Sequence, residues 1–163
     1  MQIRKATQTD WQDILSIYCR ARQYMRDTGN PNQWKNVSPT EEQLKQDIAN
    51  GNLYVAQEDN VIHGVFAMIA GADPTYAKIE GRWLNDSPYI AIHRVASAGI
   101  KKGMLSTFLS FALQYHSNLR IDTHQDNRIM QHLLEKHGFI RCGIIYLANG
   151  DPRIAYQYVK EGC

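Results

Sequence analysis

The sequence predicts an α/β fold: one domain over residues 1–163, built on a mixed, mostly antiparallel sheet flanked by helices in two or three layers. Three observations carry this. Segments of period-two alternation and segments of helical spacing interleave in the order strand, two helices, three strands, helix, strand, helix, two strands. Two strand pairs are joined across Asp59-Asn60 and Asn149-Gly150-Asp151, links too short for a crossover, so those neighbours are antiparallel. A chain of 163 residues can bury roughly two-thirds of its unfolded surface around one core.

The elements follow in order. Gln2 to Ala6 reads as a short strand, and Thr9 or Asp10 caps a helix on which Trp11, Ile14, Leu15, Tyr18, Ala21 and Met25 recur at helical spacing. Gly29-Asn30-Pro31 stops it, and Gln33 to Ser38 carries Trp34 in a polar loop. Thr40-Glu41-Glu42-Gln43 is a capping box that starts a second helix reaching about Asn50. Leu53 to Glu58 and Val61 to Ala70 are strands around a tight turn, and Gly71 to Ser87 is an unpatterned excursion long enough to suggest a function. The strand Tyr89 to Ser97 empties through Gly99-Ile100-Lys101-Lys102-Gly103 into a helix with Leu105, Phe108, Leu109, Ala112 and His116 on one face. Leu119 to Thr123 is a fifth strand, Arg128 to His137 a helix closed by Gly138, and Phe139 to Tyr146 and Ile154 to Val159 the final strands.

Composition excludes several classes. A net charge of +2 without a polybasic stripe gives no reason to expect a nucleic-acid partner. The three cysteines, Cys19, Cys142 and Cys163, have no paired spacing, so reduced thiols in a cytoplasmic protein are expected. The N-terminus lacks the apolar core of a signal peptide, and no run of about eighteen apolar residues suggests a membrane partner. No His-Glu-x-x-His, paired-cysteine or clustered carboxylate spacing calls for a metal, and no Gly-x-Ser-x-Gly elbow is present.

Two motifs carry chemistry. The glycine loop before the third helix brings backbone amides and the positive end of a helix dipole to one point, with Lys101 and Lys102 beside them, which is an anion site suited to a pyrophosphate. The second is Asn127 followed by an apolar helix that ends in Gly138-Phe139. Taken singly, each has a plainer reading: Gly99 and Gly103 as turn glycines, the lysines as solvated charge, Asn127 as a helix cap.

Together, in this order and spacing, the two motifs resemble those of the GNAT superfamily of acyl-CoA-dependent N-acetyltransferases, over nearly the whole chain by element order and most sharply from His93 to Phe139. The resemblance implies acetyl-CoA as cofactor. Its pyrophosphate would lie on Ile100, Lys101, Lys102, Gly103, Met104, Leu105 and Ser106, though only Gly103 matches the three marked positions of the family's loop. It also implies that Asn127 touches the cofactor and that main-chain groups of His93 and Val95, on a bulged strand, meet the thioester carbonyl. The family often has a Tyr where this chain has Leu134, so the usual proton donor is missing and Tyr146 is the substitute candidate.

For the base, Asp122 and His124 share a face of the fifth strand by alternation, with His93 beside them. The plainer roles are Asp122 paired with Arg94 or Arg120 and His124 capping the next helix. The acceptor is expected to be a small-molecule or peptide amine entering past Tyr24 and Trp34, two residues that could equally be ordinary packing. A non-catalytic acyl-CoA-binding or sensor module is the alternative to an enzyme, and a homodimer is left open.

Overall fold

The computed structural model describes residues 1–161. Its strands are β1 Gln2–Lys5, β2 Leu53–Glu58, β3 Val61–Ala70, β4 Glu80–Gly81, β5 Ile90–Ser97, β6 Asn118–Thr123, β7 Ile140–Tyr146 and β8 Pro152–Val159. The helices are α1 Trp11–Asp27, α2 Glu41–Ala49, α3 Met104–Leu113 and α4 Arg128–Lys136. All eight strands form one sheet in the order β1-β2-β3-β5-β6-β8-β7-β4. Only β5 and β6 run parallel; every other neighbouring pair is antiparallel.

Alternation along the strands divides the core in two. Tyr54, Phe66, Ile92, Ile121 and Tyr156 point to one face, where Phe108, Leu109 and Ala112 of α3 and Leu134 of α4 cover them. Val55, Val65 and Ala67 point to the other, beneath Ile14, Ile17, Tyr18 and Ala21 of α1 and Leu44 of α2. The same face continues under the 71–87 segment, where Tyr76 closes over Ala91, Ile145 and Ala155. The result is a three-layer sandwich with the sheet in the middle.

Local chemistry explains the ends of the elements. Thr40 accepts from the Gln43 amide at 3.1 Å and starts α2. Asp10 stands at the N-cap of α1, but its carboxylate instead grips the Arg4 guanidinium at 2.8 and 2.9 Å, tying β1 to the helix start. The β2–β3 turn is a tight hairpin with Asp59 and Asn60 both at positive φ. At the end of α4 the amides of Gly138 and Phe139 donate back to Glu135 and Leu134.

Three expectations need correction. His116 lies past the end of α3, where its Nδ1 accepts from the Asn118 amide at 3.0 Å, so it is not on the helical face. The last strand starts at Pro152 rather than Ile154, an allowed place because the first residue of a strand needs no ladder N–H. The 71–87 excursion contains a 3-10 turn, Pro74–Tyr76, and the two-residue β4, which pairs with β7 at the sheet edge. Such a short strand has no periodicity to read. Cys19 and Cys142 are free thiols, while Cys163 lies outside the described residues. No helix among the described residues is long and apolar enough to cross a membrane.

Gly64 lets α3 approach the sheet closely. A Cβ there would sit 2.6 Å from Phe108 Cζ and 3.1 Å from the Ala96 carbonyl oxygen. Phe108 in turn stacks on Phe66 with ring centroids 4.3 Å apart. Gly64→Ala therefore overpacks the core and is expected to destabilise the protein by about 1–3 kcal/mol in urea unfolding; an unchanged midpoint would show that the α3 layer yields freely.

Candidate active site

The site begins where the sheet comes apart. β5 and β6 pair only through Ile90–Leu119, Ala91–Arg120 and Ile92–Ile121, after which no ladder joins them. At the same level the β3–β5 register slips: Ala67 faces His93 and Val65 faces Ala96, so Arg94 and Val95 together oppose Phe66. This bulge holds Arg94 at φ 55, a costly conformation for a residue with a Cβ. Two contacts hold it there. The Tyr18 hydroxyl donates to the Arg94 carbonyl at 2.7 Å, and Arg94 Nε donates to Asp47 at 2.7 Å. Burial pushes the Tyr18 phenol up, which keeps it a donor, and burial pushes the Asp47 carboxyl up against the opposing pull of Arg94. Main-chain groups of His93 to Val95 that point toward the absent β6 neighbour are thereby free for a ligand.

A cavity of about 190 Å³ opens at this parting, walled by Ile92 to Val95, Ile121 to Thr123, Asn127, Met130 and Arg153, and by Met25, Gln33 and Trp34 from the first helix and its loop. His93 is clamped on its wall. Its Nε2 lies 2.8 Å from Asp73 Oδ2 and its Nδ1 lies 3.7 Å from Asp122 Oδ1. Since a carboxylate only accepts, Asp73 puts the imidazole proton on Nε2 and leaves the lone pair of Nδ1 facing the Asp122 side. Asp73 is itself fixed: Oδ1 accepts from the Thr75 amide and hydroxyl at 2.9 and 2.7 Å, and its own amide donates to the Tyr89 hydroxyl at 2.8 Å. Burial pushes the Asp73 carboxyl up, but the hydrogen bonds from His93 and Thr75 outweigh it and hold the group at about 2. Tyr76, its phenol pushed well up by burial and by Asp122, donates to Asp122 Oδ1 at 2.6 Å. A half-buried imidazole between two anchored carboxylates can accept a proton and stabilise the charge it gains.

The second end of the site is the N-terminus of α3. Gly103 caps it at φ 79, with open space where a Cβ would stand and no side chain on the helix amides. The first intrahelical bond runs from the Thr107 amide to the Gly103 carbonyl, so the amides of Met104, Leu105 and Ser106 have no helical partner. The side chains of Met104 and Leu105 are buried in the core, which leaves only their backbone for a ligand. Ser106, Lys102 and Ile100 are exposed, and Lys101 pairs with Glu58. This donor set fits the diphosphate of coenzyme A: dipole, unpaired amides and ammonium groups all favour an anion.

The remaining candidates separate into those at the cavity and those away from it. Asn127 reaches it, with Oδ1 accepting from the Met130 amide at 3.0 Å and Nδ2 donating to Gln33 at 2.9 Å. Trp34 lines it and packs on Tyr18 with centroids 5.7 Å apart. Tyr24 does not: it is 56% exposed, and Met25, one residue on, takes the inward position. His124 lies beyond the end of β6 and turns its Nδ1 to the Asp126 amide at 3.0 Å, off the cavity wall. Tyr146 is 45% exposed on β7, where alternation sends its neighbour Ile145 inward, so it is not at the reacting end. Leu134 is fully buried against α3 and the sheet. The plain pairings of Asp122 do not form either, since Arg94 goes to Asp47 and Arg120 lies between the Trp83 and Tyr89 rings at 4.0 Å from each. Asp73 and Arg153 carry no functional reading in the sequence, and Tyr76 enters it only as part of the 71–87 excursion. The pattern Asp73-Pro74-Thr75, a capping aspartate before a proline, was the available signal for the first of them.

A structure of a GNAT-family acetyltransferase from Streptococcus agalactiae superimposes with a TM-score of 0.88 and 34% identity, over 99% of this chain and 96% of that one. GNAT-family acetyltransferases from Bacillus cereus and Listeria monocytogenes share the fold, with TM-scores of 0.62 and 0.72 at 23% and 18% identity, covering 99% and 97% of this chain and 98% and 94% of theirs. No family model and no curated protein matches the sequence. The chain belongs to the GNAT family of acetyltransferases. It is accordingly an acyltransferase, and membership implies use of acetyl-CoA.

The depressed Asp73 carboxyl has a consequence for stability. Its folded value of about 2 lies below the unfolded one, so the stabilisation, about 2 kcal/mol, is complete above about pH 4 and lost as pH falls toward 2. Asp73→Asn should lose that amount at neutral pH in chemical unfolding and show a flatter profile from pH 4 to 2. Parallel profiles for the two proteins would mean that Asp73 is not held ionised by His93.

Proposed function

We propose that this acetyltransferase moves the acetyl group of acetyl-CoA onto a primary amine by direct attack of the nitrogen on the thioester. The observation that carries the reading is the clamped His93 imidazole at the parting of β5 and β6, on the same cavity wall as the exposed bulge. The α3 amides, Lys101, Lys102 and Asn127 would hold the cofactor, which supplies an activated acetyl group when bound.

An alkyl ammonium of pKa about 10.4 is on the order of one part in a thousand neutral at pH 7, so the site must make up a deficit of about 4–5 kcal/mol. His93 does this as base. Its Nδ1 takes the ammonium proton before attack and leaves a neutral amine, with Asp73 and Asp122 balancing the imidazolium from both sides. The second nitrogen proton, released as the C–N bond forms and the C–S bond breaks, passes to water or to the departing thiolate. Main-chain N–H groups of the bulge at His93 and Val95 face the charge that builds on the carbonyl oxygen. No residue has to protonate the sulfur on departure, because a thiol of pKa near 8.5 leaves readily as thiolate. That removes the need for a phenol at Leu134. Asp122 keeps a part in this scheme, as the carboxylate beside the base.

A non-catalytic acyl-CoA-binding module would need the cofactor groups alone. The anchored Asp73–His93–Asp122 array argues for catalysis, since a binder gains nothing from holding an imidazole between two anchored, half-buried carboxylates.

His93→Gln keeps a polar side chain without a base. With a confirmed amine substrate, kcat is expected to fall by about 10²–10⁴ and the acidic limb of the pH–rate profile to disappear, while the KM for acetyl-CoA stays within about twofold. Retention of the parental rate and profile would remove His93 from the mechanism.

A further inference from the structure

Arg153 is a buried cation on the cavity wall that has no ion-pair partner among the described residues. Its residue is only 5% exposed. Two of its five N–H groups are used, one from Nη1 to the Pro152 carbonyl at 2.8 Å and one from Nη2 to the Gln33 carbonyl at 2.8 Å. Both acceptors are neutral. No ion pair links Arg153 to a carboxylate among the described residues, whereas Arg94, the other arginine on this wall, is paired with Asp47. Buried guanidinium groups without an anion are rare because desolvation is costly and nothing returns it. Burial also pulls the Arg153 guanidinium down from its ordinary value, and Asp122 and Asp151 oppose this only at a distance.

The register of the sheet relates this cation to the proposed base. β6 and β8 are antiparallel, with Asp122 opposite Ala155 and Thr123 opposite Ile154. Arg153, two residues from Ala155, therefore emerges on the same face as Asp122, as its diagonal neighbour, with about 7–8 Å between such positions. Ala155, directly across from Asp122, adds only a methyl group. His93 and Asp122 mark one end of the acceptor's space and Arg153 the other.

We infer that the acceptor is an amino acid, a small primary amine whose carboxylate is gripped by Arg153 while its nitrogen stands beside His93. This rests on the acetyl-transfer reading above and narrows its substrate class. Guanidinium and carboxylate form a bidentate pair, and a site built for such a group rejects analogues that lack it. The cavity of about 190 Å³ has room for an acceptor of this size.

The test is a panel of the twenty amino acids, each beside its carboxamide and its decarboxylated amine, assayed by release of free thiol from acetyl-CoA. The same compounds are titrated calorimetrically into the protein with CoA present. The expected result is at least one amino acid preferred over both partners by about tenfold to a hundredfold in kcat/KM, with weaker binding of the carboxamide and amine. Arg153→Gln should reduce that amino acid to the level of its carboxamide, and Arg153→Lys should recover part of the difference; circular dichroism checks that each variant is folded. Carboxamides or plain amines used or bound as well as the amino acids by the parent protein would overturn the inference, whatever the variants do. Carboxylate-dependent binding without any thiol release would support the Arg153 subsite and contradict acetyl transfer, so the two failures are distinguishable.

Discussion

A parallel pairing only three residues long governs this molecule. β5 and β6 share Ile90 to Ile92 against Leu119 to Ile121 and then separate. Had the ladder continued, the backbone groups of His93 to Val95 would be spent on β6 and the middle of the sheet would be closed. Interrupting a sheet at its centre leaves polar groups unpaired and costs stability, so the interruption must be held by contacts elsewhere. Here the bulge at Arg94 is held by Tyr18 of α1 and Asp47 of α2, both on the same face. The first two helices therefore fix the strand that the reaction uses.

The two faces of the sheet then divide the chemistry. On the α3 and α4 face the binding groups are backbone: the capless first turn of α3, reached because Gly64 lets the helix lie close. On the α1 and α2 face the reactive groups are side chains, His93, Asp73, Asp122 and Arg153, each held by hydrogen bonds to other elements. The α1–α2 loop closes this face. Gln33 Oε1 accepts from Asn30, Thr123 and Asn127, and the Gln33 carbonyl accepts from Arg153, so one loop residue joins β6, α4 and β8 over the cavity.

How much of this was legible in the sequence depended on how local the cause was. The helices, the β2–β3 hairpin and the N-cap at Thr40 follow from spacing and turn chemistry within a few residues, and the structure has them where those signals lie; of the expected capping box only the bond from the Gln43 amide to Thr40 forms. The site mixes local and distant causes. Gly103 and Asn127 sit in motifs with readable order, while the base array joins Asp73 to His93 across twenty positions and to Asp122 on another strand. Tyr24 and Met25 differ by one step, about 100° around a helix, which decides solvent or cavity and which loop-end geometry alone determines. His124 was placed by carrying strand alternation one residue too far, since β6 ends at Thr123. Arg153 had no signal at all. Its burial comes from β8 lying between β6 and β7, an order that chain sequence does not reveal.

The central claim is that the opening between β5 and β6, together with the N-terminus of α3, seats coenzyme A. Titration of the isotope-labelled protein with CoA, followed through its backbone amide resonances, tests it most directly. The account predicts the largest shifts at Gly103 to Ser106, followed by Val95 and the Asn127 region, with β1 and β4 unmoved. Saturable binding that leaves the Met104, Leu105 and Ser106 amides unshifted would contradict it.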